Sequence, residues 1–163
     1  MPNDPEVLRS FASLRFAQGH HAKAIDILER ARALHPHSAA LEYSLGKVFL
    51  ELGRAPEAEP RFRACLAISP DFADAVANLG ATLSLLGRDA EAVGTLRRAA
   101  ELLPRSVGPL ANLGTILPHH LATDTHGSIT STLFTSFLLS YSYLWRDAIL
   151  VACDFLLTPH SIR

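Results

Sequence analysis

One short segment holds the residues that could bind a metal ion, namely His119, His120, Asp124 and His126. Imidazole and carboxylate groups are common zinc ligands, but their spacing here follows neither a helix nor a strand and includes no cysteine. A polar turn is the simpler interpretation. Nucleophilic catalysis would need a partnered base and an oxyanion site, and the sequence contains neither a GxSxG turn nor a glycine-rich phosphate loop. We therefore expect no enzyme, no cofactor and no metal site.

The cysteines and the charge balance exclude further classes of protein. Cys65 and Cys153 stand far apart in the sequence, without a CxxC or Cys/His spacing, so neither a disulfide framework nor a zinc finger is predicted. The chain has 15 basic and 16 acidic side chains and a net charge of -1, which gives no electrostatic reason to bind nucleic acid. Residues 1–6 do not resemble a secretory signal. These features predict a cytoplasmic protein that does not bind nucleic acid.

The first two thirds of the chain repeat at a constant interval, the one that separates Pro36 from Pro70 and Pro70 from Pro104. Glycines and small or apolar residues keep the same interval at several independent positions. They are Gly19, Gly53 and Gly87; Ala24, Ala58 and Ala92; Leu28, Phe62 and Leu96; Ala31, Cys65 and Ala99; and Phe11, Leu45, Leu79 and Leu113. Such a period indicates stacked structural repeats. Cys65 stands in the place of two alanines, and we expect it to be a small buried packing residue.

Each unit is predicted to form two antiparallel helices. In the middle unit, apolar residues recur at helical spacing up to Gly53, and a glycine ends a helix easily in the left-handed conformation. A second helix follows and ends before Pro70, because the residue before a proline is pushed away from helical angles. Pro118 is expected to end the last helix, with a polar loop over 119–127. The predicted helices cover residues 6–18, 22–34, 39–52, 56–68, 73–86, 90–102 and 107–117.

The Leu-Gly pairs, small residues and closing prolines of these units resemble the tetratricopeptide repeat, a helix-turn-helix unit of this length. The resemblance covers residues 5–117, as three full units (5–38, 39–72 and 73–106) and the first helix of a fourth (107–117). It implies an all-α, right-handed helical solenoid. It also implies a protein that binds proteins or peptides on a curved helical surface.

In this family the first helix of each unit lines the concave side, which forms a peptide-binding groove. Asn78 and Asn112 each precede a Leu-Gly pair, and Ser44 and Ser10 hold the corresponding places in the earlier units. The pair resembles the asparagine row of O-linked N-acetylglucosamine transferases, where such side chains hold the backbone of an extended substrate. Two amides that are solvated or cap a helix are the alternative interpretation.

Tyr43, Lys47 and Arg9 are the other expected groove residues, and they would give the groove its selectivity. The family also uses a clamp of lysine, arginine and asparagine that captures a terminal carboxylate. Here only two cations face the groove, one unit apart, and they do not form such a clamp. A chaperone carboxyl-terminal tail is therefore not the expected ligand.

Residues 118–163 differ in composition from the repeats: only 5 of these 46 residues are charged, and 12 are serine or threonine. Three interpretations stay open. Residues 128–157 could form a helix that covers the end of the solenoid. Residues 127–145 are uncharged and nearly long enough to cross a membrane, and the tail could also be a misread sequence.

The function expected from these features is a non-catalytic module that binds an extended peptide or a partner helix in the groove. One alternative is a membrane-tethered or structural assembly component, which depends on the tail. Another is the amino-terminal part of a larger transferase. The oligomeric state is left open.

Overall fold

The computed structural model describes the backbone of residues 3–124 and the side chains of residues 3–116. The tail beyond Asp124, including the predicted helix at 128–157 and the candidate membrane segment, lies outside the described residues. The described part contains α-helices and no strand. The helices are α1 (Pro5–Ala17), α2 (His21–Leu34), α3 (Ala39–Glu51), α4 (Ala55–Ile68), α5 (Ala73–Leu85), α6 (Asp89–Leu102) and α7 (Gly108–Asp124).

The turn inside each full unit is made by a glycine in the left-handed conformation. Gly19, Gly53 and Gly87 have φ angles of 79°, 71° and 72°, which a residue with a Cβ adopts only at a cost. At the middle turn, Gly53 N–H donates to the Leu50 carbonyl at 2.9 Å and Arg54 N–H donates to the Phe49 carbonyl at 2.9 Å. These bonds satisfy carbonyls at the end of α3. The sequence prediction of these helix ends is confirmed to within about one residue.

In the second and third units the two helices pack closely because the first carries a glycine at their crossing. A Cβ on Gly46 would lie 2.7 Å from the ring of Phe62, and a Cβ on Gly80 would lie 2.6 Å from Leu96. Both Phe62 and Leu96 are fully buried. Since even an alanine would collide there, glycine is what lets α3 approach α4 and α5 approach α6. Cys65 belongs to the same core and is 0% exposed, as the sequence predicted.

A buried carboxylate joins the first unit to the second. Glu42 on α3 is only 5% exposed, and its oxygens lie 3.8 Å from Arg32 on α2 and 3.6 Å from Arg61 on α4. Glu29 on α2 pairs with both arginines, at 2.8 and 3.3 Å. The result is a network of four charges that connects three helices. A charge this deeply buried is tolerated because its counter-charges come with it.

The predicted end of α7 at Leu117 is wrong. The helix continues through Pro118 to Asp124, so residues 119–124, expected in a loop, are helical. A proline inside a helix removes one hydrogen bond but does not by itself stop the helix, and α4 likewise continues through Pro60. The first helices of the three full units end instead at a glycine. In the fourth unit Leu121 holds the place of Gly87, and the residue that would turn the chain is therefore missing.

Candidate functional site

The first helices of the units line the inner side of the stack. Successive first helices contact one another, as α1 does with α3, α3 with α5 and α5 with α7, whereas each second helix packs mainly on first helices. A stack in which one layer of helices lies closer together curves toward that layer. The concave surface is thus built from α1, α3, α5 and α7, the helices that carry all six predicted groove residues.

The centre of this surface is a contact between two predicted groove residues on neighbouring helices. The Asn78 side-chain amide on α5 donates a hydrogen bond to the Tyr43 hydroxyl on α3, at 3.3 Å. The Tyr43 ring stacks on Phe72, with ring centres 4.9 Å apart and planes 27° apart. Both aromatic residues and Asn78 are half-buried. The amide and the phenol are therefore held in place and remain partly accessible.

The chemistry of Tyr43 is that of a neutral hydroxyl. Burial raises the pKa of Tyr43 above its usual value of 10.0, and the negative charge of Asp74 raises it further, while the hydrogen bond from Asn78 acts in the opposite direction. The hydroxyl is protonated at neutral pH. Because its oxygen already accepts from Asn78, its own hydrogen is available to an acceptor on a ligand.

Asn112 and Ser44 lie on the same concave surface and differ in their hydrogen bonding. Asn112 on α7 is half-buried, and among the described residues its side chain makes no hydrogen bond. Its carboxamide can donate and accept at once. Ser44 on α3 is also half-buried, but its hydroxyl donates to the Ala40 carbonyl one turn earlier, at 2.8 Å. The serine is thus engaged by its own helix, whereas the asparagine is open to a partner.

The two cations of the groove are each paired with an acid one turn away on the same helix. Lys47 Nζ lies 3.6 Å from a carboxylate oxygen of Glu51, and Arg9 pairs with Glu6 on α1. Both pairs are partly or largely exposed to solvent and contribute little to stability. They nevertheless reduce the positive charge that Arg9 and Lys47 present to a ligand.

Asp74 and Phe72 are groove residues that the sequence interpretation did not identify. Asp74 lies one turn before Asn78 on α5 and therefore shares its face. It is exposed, and among the described residues it has no ion-pair partner. Its helical spacing from Asn78 was a usable signal. Phe72 precedes α5 as its N-cap residue, and its contact with Tyr43 on the preceding first helix had no signal in the sequence.

None of the other candidate sites is shown within the described side chains. The side chains of His119, His120, Asp124 and His126 are not among those described, and residues 3–116 contain no group of three possible metal ligands. Burial raises the pKa of Cys65 to about 11, and its sulfur stays a protonated thiol at neutral pH. No helix within the described range has the length and apolar character needed to cross a bilayer.

Two sequence profiles match the repeats found above. Both are described as tetratricopeptide repeat, and they match residues 10–71 and 50–113. The chain belongs to the tetratricopeptide repeat family. The matches cover the region in which the turn glycines and closing prolines recur, so family membership and the physical interpretation of the repeat agree. None of the curated proteins matches this tetratricopeptide repeat protein, and the likeness to O-linked N-acetylglucosamine transferases rests on the asparagine pair alone.

Solved tetratricopeptide repeat structures share the fold. One is the first such domain of Spaghetti (RPAP3) bound to the HSP90 peptide SRMEEVD, with a TM-score of 0.69 and 22% identity over 72% of this chain and 94% of that chain. Another is the second such domain of human RPAP3 in complex with the HSP70 peptide SGPTIEEVD, with a TM-score of 0.65 and 20% identity over 70% and 98% of the two chains. MamA from Desulfovibrio magneticus gives a TM-score of 0.69 and 21% identity over 87% and 77%.

Proposed function

We propose that this chain is a non-catalytic interaction module that holds an extended peptide in the concave groove of its repeats. The observation that carries the proposal is the row formed by Asn78 and Asn112 on successive first helices, beside a tyrosine hydroxyl that is fixed and able to donate. Two of the structural neighbours are complexes with short peptides, which supports a peptide as the class of ligand.

The spacing of the row sets the register of the ligand. Packed helices lie about 8 to 10 Å apart, and an extended chain advances about 3.3 Å per residue. One repeat therefore spans about three ligand residues. Asn112 offers its whole carboxamide to the peptide backbone, while Asn78 offers its carbonyl oxygen and the N–H that Tyr43 does not use. Backbone contacts of this kind bind many sequences, so selectivity falls to the neighbouring side chains.

The paired cations argue against an acidic ligand. The peptides bound by the two neighbours above, SRMEEVD and SGPTIEEVD, each carry three acidic residues. In this groove, Arg9 and Lys47 already face an acid on their own helix. A peptide carboxylate would have to displace that acid to gain a full ion pair. We therefore propose a ligand class other than the acidic chaperone tails.

The proposal is tested by removing the asparagine pair. Peptides selected from a random seven-residue display library on the whole chain serve as probes, and their affinity is measured for the wild type and for the double variant Asn78→Ala/Asn112→Ala. Each lost hydrogen bond should cost about 0.5 to 1.5 kcal/mol, so the pair should weaken binding by about 1 to 3 kcal/mol. The melting temperature should change little, since neither side chain is in the core.

Asn3→Ala is the matched control, because it removes the third asparagine of the chain at an exposed position before α1. It should leave affinity unchanged. Unaltered affinity in the double variant would show that the row does not hold the peptide. Failure to select any peptide would count against the groove as a binding site. The membrane-tethered and transferase alternatives depend on residues outside the described part.

A further inference from the structure

Within the described side chains, the concave surface has a corner in which aromatic rings and an unneutralised carboxylate lie together. Tyr43 and Phe72 form its wall, stacked at 4.9 Å. Asn78 ties the wall to α5 through its 3.3 Å hydrogen bond to Tyr43. Asp74 lies one turn before Asn78 on the same face of α5. These four residues define the corner.

The charges around the corner are mostly negative. Asp74 and Glu51 both act on Tyr43 as negative charges that raise its pKa. The cation on the adjoining turn, Lys47, is paired with Glu51. A further acid, Asp71, precedes α5 and lies 3.3 Å from Arg98. Asp74 is therefore the carboxylate at this corner that no cation of the described residues neutralises.

Two other aromatic residues of the first helices, Phe11 and Phe49, already have a cation of this chain over their rings. Arg15 lies 4.9 Å from the ring centre of Phe11, and Arg54 lies 4.8 Å from that of Phe49. Among the side chains of residues 3–116, no arginine or lysine is placed in this way over Tyr43 or Phe72. The ring face of a tyrosine attracts a cation within about 6 Å of its centre. The corner thus offers aromatic rings and a carboxylate to a cation, and no described arginine or lysine occupies that place.

We propose that the corner formed by Tyr43, Phe72, Asp74 and Asn78 is the subsite for a lysine or arginine side chain of the bound peptide. The cation lies against the accessible part of the Tyr43 and Phe72 rings and forms an ion pair with Asp74. The Asn78 carbonyl oxygen accepts a hydrogen bond from the backbone of the same peptide segment. The inference rests on the proposed groove function and adds the charge of the ligand to it.

The test compares three peptide mixtures on the whole chain by fluorescence polarisation. Each is a labelled, amidated seven-residue mixture, random except that its central residue is arginine, norleucine or glutamate. Norleucine keeps an unbranched aliphatic side chain without the charge. The arginine mixture should bind about tenfold more tightly than the norleucine mixture, since cation–π and ion-pair contributions add, and the glutamate mixture should bind least. The preference should decrease as salt rises.

Two variants and one control variant show which residues cause the preference for arginine. Asp74→Asn should bring the arginine mixture to the affinity of the norleucine mixture. Asp71→Asn is the matched control, because it removes the neighbouring exposed acid that is already paired, and it should keep the tenfold preference. Tyr43→Leu should reduce the preference for the arginine mixture over the norleucine mixture, although Asp74 is still present. Melting curves check that each variant is folded.

The outcomes separate this inference from the proposed function. Equal binding of all three mixtures, or a preference that survives Asp74→Asn, overturns the cation subsite and leaves the peptide groove intact. Absence of binding by every mixture overturns the groove and the subsite together. Tightest binding of the glutamate mixture would show that the groove selects acidic peptides and that Arg9 or Lys47 exchanges its own acid for the ligand.

Discussion

At the scale of single residues, the groove depends on positions that the repeat brings together. Tyr43 and Asn78 are 35 residues apart, one residue more than the repeat length, and they meet because equivalent faces of α3 and α5 are neighbours. Asn78 consequently has two roles, as the anchor of Tyr43 and as part of the asparagine row. Asn112 has only the second, since alanines, Ala77 and Ala111, hold the places equivalent to Tyr43 in the next two units.

The glycine at the crossing of α3 and α4 gives a prediction about stability. Gly46→Ala places a Cβ 2.7 Å from the Phe62 ring, which is fully buried and cannot move away. Overpacking of this kind costs about 1 to 3 kcal/mol, and urea unfolding should show a loss in this range. Gly94→Ala is the control. Gly94 is exposed on α6 with nothing within 4 Å of its Cβ position, and the alanine should stabilise the protein by about 0.5 to 1 kcal/mol.

Equal effects of the two alanines would contradict this account. If both variants were stabilised, helix propensity alone would determine the change in stability, and the close approach of α3 to α4 would contribute nothing to it. If both were destabilised, some property other than the space at Gly46 would be responsible. The comparison isolates packing because the chemical change is the same at both sites.

At the scale of elements, local signals determined most helix boundaries and failed at the end of α7. Gly53 and Pro70 each act on their own stretch of backbone, so the ends of α3 and α4 could be predicted. Pro118 was given the same weight, but α7 continues through it because no turn glycine follows. The Lys47–Glu51 pair was readable from its spacing. The contact of Tyr43 with Phe72 was not, since it depends on how α3 packs on α5.

The buried network around Glu42 gives a prediction for the joint between the first two units. Arg61→Ala removes one counter-charge of a carboxylate that is only 5% exposed. Loss of one partner of a buried pair costs up to about 3 to 5 kcal/mol, and less here because Arg32 remains. Glu42→Leu should raise the stability of the protein or leave it unchanged. The equivalent places in other units hold Leu8 and Val76, and both arginines can turn to solvent.

Chemical unfolding of the two variants checks this. If Glu42→Leu lost as much stability as Arg61→Ala, the buried carboxylate would itself stabilise the joint between the units. It would then be more than a charge that its arginines have to compensate. A double variant, Glu42→Leu/Arg61→Ala, serves as the control. It should recover most of the stability that Arg61→Ala loses, since the buried charge is then absent.

At the scale of the whole molecule, the concave face changes character along the stack. On α1 and α3 it carries charged side chains that are paired within their own helix, as Arg9 and Lys47 are. On α5 and α7 it carries Ala77, Ala81 and Ala111. Asp74 lies where the two halves meet. The net charge of -1 for the chain therefore does not describe the concave face. The position of each charged side chain along that face determines which ligand it can bind.

The end of the stack gives a prediction for the tail. A repeat buries its apolar face only against its neighbours, and within the described residues no second helix follows α7. The core extends from Ala12 to Ile116, so a shortened chain of residues 1–124 should remain helical and unfold cooperatively. We predict that residues 128–157 cover α7. The full chain should then melt higher, and a gain of about 1 kcal/mol corresponds to about 2 to 4 °C.

Calorimetry and fractionation of the two chains distinguish the three interpretations of the tail. Covering α7 removes apolar surface from water, so the full chain should be both soluble and more stable than the shortened one. Recovery of the full chain only with membranes, with the shortened chain soluble, would contradict the cover and favour an anchor. Aggregation of the full chain alone would indicate a tail whose apolar surface has no partner. In either contrary case α7 would be the terminal helix of the stack, and the core up to Ile116 would have to be stable without a cover.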